Sequence, residues 1–215
     1  MAALYGETHR AMQDWHETRR LADLLEAAII RPTLNDDDVE FLASRDFFFL
    51  ATVDPEGRPT VSHKGGAPGF VRVLDASTLI FPLYDGNGMF LSAGNIGAAA
   101  HIGLLFIDFE TPHRLRLQGE ASLVDAEAGA FPGAVLLVRV ALTHVFVNCG
   151  RYIHRHVRTA PARHVPDAAG QQPVPAWKRI DIVQGSLPAR DQGPADEAGV
   201  ITIDEYETMR RRGEV

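Results

Sequence analysis

Cysteine is almost missing from this chain of 215 residues. Cys149 stands alone, so no internal disulfide can form, and a reducing, cytoplasmic compartment is the expected one. Basic residues are in deficit: 21 Lys and Arg face 28 Asp and Glu, a formal net charge of −7 at pH 7. That balance argues against broad nucleic-acid binding, which needs a dominant basic surface, but leaves room for a local basic pocket serving one phosphate. Long apolar runs are lacking too. A membrane span needs about 20 such residues, and the longest candidate, 134–147, is interrupted by Arg139 and His144. Residues 1–16 carry Glu7, His9, Arg10 and Asp14 and no apolar stretch, so they do not read as a secretory signal. There is no internal repeat and no low-complexity tract.

What is present suffices for a real core: 46% of residues are hydrophobic and 23% charged, ordinary values for one globular domain with appendages. Residues 8–29 read as a helix, with Met12, Trp15, Leu21, Leu24, Leu25 and Ala28 at mixed three- and four-residue spacing and Pro32 as its stop. A second short helix comes next, capped by Asn35 or Asp36. Asp37 and Asp38 suit the positive end of its dipole, and Val39, Phe41 and Leu42 face inward.

Strand signals then dominate. Residues 47–53 are aromatic and β-branched, 54–57 form a Pro/Gly turn, and 59–64 read as the return arm of a hairpin. Strands over 71–74 and 78–84 are followed by a loop at 85–88 and a helix over 89–99 rich in small residues. Further strands are expected at 102–108, 114–118 with a continuation at 122–124, and 135–147; a short helix is expected at 151–158. Six or seven strands with short connections favour an antiparallel barrel or sandwich. Beyond Thr159 come Pro161, Pro166, Pro173 and Pro175, the mark of an extended linker, with a short helix at 204–212. The expected organisation is an N-terminal helical arm at 1–34, a barrel domain at 35–158, and a Pro-rich extension and tail at 159–215 packing on the barrel or on a partner.

The stretch richest in chemistry is Ser62-His63-Lys64-Gly65-Gly66, where a strand ends in a hydroxyl, an imidazole and an ammonium. Lys64 offers a point charge for a phosphate or an electron-rich ring, and the glycines expose backbone N–H groups to a ligand. A strand end of this kind is also often only a turn. Other candidates read as structure. His154, His156 and His164 match no ligand spacing and are interleaved with Arg151, Arg155 and Arg158, which would repel a cation, so no metal is expected. His113 and His144 read as strand residues, and Cys149 as a small buried one. Trp177 reads either as an anchor for the Pro-rich segment or as a lid over a binding site.

The order of residues downstream of Lys64 carries more. It runs from 69–75 (Gly-Phe-Val-Arg-Val-Leu-Asp) to Phe81-Pro82, Asn87-Gly88, Asn95, 103–106 (Gly-Leu-Leu-Phe) and 115–121 (Leu-Arg-Leu-Gln-Gly-Glu-Ala). In this order and spacing the sequence resembles the pyridoxamine 5′-phosphate oxidase-like family over roughly residues 40–150. The resemblance implies a mostly β fold with flanking helices, a split β-barrel of six or seven antiparallel strands of the FMN-binding type. It also implies a homodimer with FMN at the subunit interface. Carried over residue by residue, Ser62, His63, Lys64 and Gly65 would line the flavin or its phosphate. Phe81 and Pro82 would lie along the isoalloxazine edge. Asn87 and Gly88 would approach the phosphate, Met89 and Asn95 would also contact the cofactor, and Arg114 would reach the flavin from the sheet. The sequence departs from the family pattern at Gly88-Met89-Phe90, where relatives commonly place cations; Lys64 and Arg72 are the substitutes at hand. The expected function is an FMN-dependent oxidoreductase acting on a small molecule. The alternatives are a non-catalytic holder of flavin or haem and a deazaflavin (F420) enzyme.

Overall fold

A computed structural model describes residues 4–126 and 130–215; the first three residues of the expected arm lie outside them. Seven strands form one antiparallel sheet: β1 (Phe47–Val53), β2 (Pro59–Gly65), β3 (Arg72–Asp75), β4 (Thr78–Tyr84), β5 (His101–Asp108), β6 (His113–Asp125) and β7 (Ala134–Asn148). The strand order is β2-β1-β5-β6-β7-β4-β3, and every ladder is antiparallel. Among the described residues there are six α-helices: α1 (Glu7–Trp15), α2 (Arg19–Ile29), α3 (Asp36–Ser44), α4 (Leu91–Ala98), α5 (Gly193–Ala198) and α6 (Ile203–Arg211). This is the mostly β, helix-flanked class that the sequence pattern implies.

The core follows from alternation. In β1, Phe48 and Leu50 are fully buried and Thr52 is nearly so, while Phe47 and Phe49 on the opposite face are half-buried. Phe48 sits at the centre, with ring centroids 4.9 Å from Phe81, 4.9 Å from Phe106 and 5.8 Å from Phe70. These aromatic contacts join β1, β4 and β5 with the 66–71 loop into one cluster that includes Leu115, Leu117, Val138 and Val140.

The two segments expected over 114–124 are one continuous strand. The ladder to β7 slips between Gln118 and Gly119, and a Cβ on Gly119 would meet the Ala141 carbonyl oxygen at 2.4 Å. Glycine is what permits the strand to run through this bulge.

Two helix expectations are corrected. The single helix expected at 8–29 is broken into α1 and α2 at Glu17, whose φ is +56°. The break lets Arg19 grip Asp14 and puts Arg10 Nη1 2.6 Å from Asp23. The helix expected at 151–158 does not form. As a helix it would stack Arg151, Arg155 and Arg158 on one face, one turn apart. Instead the segment runs alongside the β5–β6 turn: the His156 N–H donates to the Phe109 carbonyl, and Arg155 Nε to the Glu110 carbonyl. α3 starts as expected, with Asn35 and Asp38 capping each other reciprocally at 2.9 Å; Leu42 is fully buried but Val39 faces solvent. Cys149, expected to be buried, is exposed.

Candidate functional site

Alternation along β2 points Ser62 and Lys64 to the same side, and that side faces the start of α4. Ser62 Oγ lies 3.1 Å from Ser92 Oγ, and the Lys64 ammonium donates to Ser92 Oγ at 3.2 Å. Lys64 is half-buried, and among the described residues no carboxylate pairs with it. Burial lowers its pKa from the ordinary lysine value of 10.5, because a cation held away from water is disfavoured until an anion joins it.

The other wall is the loop after β4. Asp85, Gly86, Asn87, Gly88, Met89 and Phe90 carry the chain to α4. Asn87 folds the loop on itself, its Oδ1 accepting the Met89 N–H at 3.1 Å. Gly88 takes φ +77° with open space where a Cβ would stand, and Gly86 is equally open, so backbone faces the cleft at both positions. Phe90 precedes α4 in the left-handed region at φ +50°, and no side chain caps the helix. The first N–H groups of α4 are therefore available to an anion.

These walls enclose a cleft of about 340 Å³, also bordered by Tyr84, whose phenol is held above its usual pKa by burial. One carboxylate stands at its rim. Asp85 would repel an anion, but the ammonium of buried Lys178 is bonded to it and to Asp191, the latter at 2.9 Å. Burial by itself lowers the pKa of Lys178, yet the bonds and charges of the two aspartates outweigh it and hold the group protonated above the ordinary range. The described residues of the cleft thus offer one free cation, two serine hydroxyls, the Tyr84 phenol, open backbone and a neutralised carboxylate. These groups suit a phosphate-bearing cofactor.

The structure gathers seven of the residues singled out from sequence in this cleft: Ser62, His63, Lys64, Gly65, Asn87, Gly88 and Met89. It places four elsewhere. Phe81 is fully buried against Phe48 in the core, and Pro82 is buried beside it, paired with Leu137 of β7. Asn95 is buried on the inner side of α4, donating to Thr52 Oγ1 at 3.0 Å and Thr60 Oγ1 at 3.4 Å, which pins the helix to β1 and β2. Arg114 stands on β6 opposite Asn148; its Nε and the Asn148 Oδ1 are buried without a partner. Arg72, named as a substitute cation, instead lies 4.0 Å over the Phe131 ring. Trp177 does not line this cleft and packs beside Lys178. Ser92, Tyr84 and Asp85 were not legible as site residues. A serine in the first turn of the helix expected at 89–99 was the available signal.

The chain belongs to the pyridoxamine 5′-phosphate oxidase family, whose family model matches residues 34–141, half of the chain. With that membership, the seven-stranded antiparallel sheet and its flanking helices are of the split-barrel class. Among solved structures, the chain is similar to HupZ of group A Streptococcus (20% identity, 53% of this chain and 94% of that one, TM-score 0.43). It is similar to HutZ, the heme storage protein from Vibrio cholerae (20% identity, 53% and 94%, TM-score 0.38). It also resembles an FMN-binding protein from Syntrophomonas wolfei (12% identity, 67% and 98%, TM-score 0.39). No curated protein matches the chain.

Proposed function

We propose that this protein is an FMN-dependent oxidoreductase acting on a small molecule, with the flavin phosphate held between β2, the 85–90 loop and α4. The observation that carries the reading is Lys64: a half-buried ammonium bonded to a hydroxyl, without a carboxylate partner among the described residues, beside an uncapped helix start. FMN, when bound, supplies hydride or electron transfer, and the protein supplies position and charge. Lys64 balances the phosphate, Ser62 and Ser92 donate to it, and Gly86 and Gly88 admit it to the backbone. The test is an absorbance spectrum of the protein after FMN is added and excess removed. Retained flavin bands in the wild type, largely lost in Lys64→Ala, support the reading; equal retention in both overturns the placement of the phosphate.

The proposal includes a homodimer with the flavin at the subunit interface. It is supported by the exposed apolar rim of the cleft, where Met89 (62%), Phe90 (49%) and Leu91 (56%) face solvent in the single chain. Light scattering that finds a monomer still holding flavin would refute it. The net charge of −7 favours a small-molecule partner over nucleic acid. Among the described residues no helix is long and apolar enough to cross a membrane, and the lone Cys149 suits a cytoplasmic setting.

Gly88-Met89-Phe90 favours a second reading, a non-catalytic holder of flavin, haem or deazaflavin, since no cation stands on that loop. Flavin reduction by a substrate separates the two readings.

A further inference from the structure

A second cleft, of about 460 Å³, lies beyond the end of β2 and shares His63 and Gly65 with the first. Its size falls in the range of small-molecule sites, about 300–1,000 Å³. One wall is aromatic. Phe47 of β1 stacks on His63 at 5.4 Å and 15°, and on Phe109 at 6.0 Å and 8°, so three rings share nearly one orientation. His156 closes the row edge-on against Phe109 at 5.1 Å. The facing wall is the extended segment from 156 to 165, including Pro161 and Val165.

The charged groups around this cleft are already engaged. Arg45 Nη1 is 3.0 Å from Asp108, and Arg158 Nη1 is 2.5 Å from Asp46. Glu110 accepts the Arg158 N–H at 3.1 Å. Asp108 also accepts from the Glu110 and Thr111 N–H groups and from the Thr111 hydroxyl. Two arginines stand against three carboxylates, so the lining carries no surplus positive charge. An anion entering here would have to break an ion pair and would meet net negative charge; a neutral ring would only displace water from aromatic faces. The ties of Arg155 to the Glu110 carbonyl and of Arg158 to Asp46 brace the outer segment against the sheet and hold the slot open.

We infer that this cleft binds a neutral, planar, largely apolar molecule. The inference stands on the geometry of the slot alone and is independent of the flavin reading above. Alternation puts the His63 ring on the face of β2 opposite Ser62 and Lys64, so the β2 backbone lies between this slot and the first cleft.

The test uses the full chain at neutral pH and two probes of one shape: 1-naphthol, which is neutral, and 1-naphthalenesulfonate, which is anionic. Binding is followed by calorimetry, and FMN uptake by absorbance. The naphthol is expected to bind at least tenfold more tightly than the sulfonate. Its binding should fall at least tenfold in Ala162→Trp, which fills the slot from an exposed position, and in Phe109→Ala, which removes part of the aromatic wall, with FMN uptake in Ala162→Trp unchanged. Naphthol that fails to bind, binds no better than the sulfonate, or binds undiminished in Ala162→Trp overturns the inference. Ala162→Trp decides alone if Phe109→Ala does not fold. Naphthol binding that behaves as expected in a protein that takes up no FMN leaves the cleft standing and sinks the flavin reading; FMN uptake without naphthol binding does the reverse.

Discussion

Lys178 is bonded to Asp85 although 93 positions separate them in sequence. The bond joins the C-terminal segment to the rim of the cleft between β2 and α4, and Asp191 shares the same ammonium. Breaking a buried pair by removing one member costs about 3–5 kcal/mol, because the remaining charge is left uncompensated. Lys178→Met is expected to lower stability by about that amount and to weaken FMN retention roughly tenfold, as the freed Asp85 carboxylate faces the phosphate. Chemical denaturation and flavin titration measure the two effects. An Asp85→Asn change added to Lys178→Met should recover most of the flavin affinity.

On the proposed function, Lys64 is expected to make flavin binding depend on pH. Its pKa is depressed by burial, and the phosphate needs the protonated form. FMN affinity should therefore fall as pH rises, beginning below the ordinary lysine value of 10.5. The linked effect on folding has the opposite sign. The unfolded chain holds this proton more tightly than the folded one, so the Lys64 contribution improves as pH rises through the window between the folded and unfolded values. Flavin titrations and denaturation curves from pH 7 upward check both slopes; a flat affinity profile would remove Lys64 from the phosphate site.

Asn95 predicts a stability effect without a flavin effect. Its buried amide donates to Thr52 and Thr60, which also bond each other at 2.9 Å. Asn95→Ala should cost about 1–3 kcal/mol by leaving the threonine pair short of a donor. In protein that remains folded, flavin affinity should change less than in Lys64→Ala. Greater flavin loss in Asn95→Ala would restore this residue to the cofactor site.

Gly119→Ala should destabilise by about 1–3 kcal/mol, the usual range for overpacking a filled site, since its Cβ would run into the Ala141 carbonyl. Gly88→Ala is the control. Nothing crowds that position, and only the backbone strain of φ +77° is at stake. A thermal melt of each variant tests the contrast.

Much of the sheet was legible because strand burial repeats every two residues, and Phe48, Leu50 and Thr52 show that period plainly. Ser62, His63, Lys64 and Gly65 were singled out through the family resemblance and the strand-end chemistry; that Ser62 and Lys64 share the face toward Ser92 follows from the alternation of β2. Phe81 and Pro82 were misplaced because resemblance fixes position along the chain and not which way a residue points in β4. The break at Glu17 was hidden because the apolar spacing of 8–29 continues across it, while the bonds from Arg19 and Arg10 that reward the break are visible only in three dimensions. Asp85 and Lys178 could not be paired from sequence, since neither position says that the other is near.

That pairing has a consequence for biosynthesis. A ribosome that has completed β1 through β7 has yet to add Lys178, so on the nascent chain Asp85 still stands uncompensated at the mouth of the cleft. On the proposed function, cofactor loading is expected to follow emergence of the C-terminal segment, since a half-made barrel would present an uncompensated carboxylate to the phosphate and the finished chain would not.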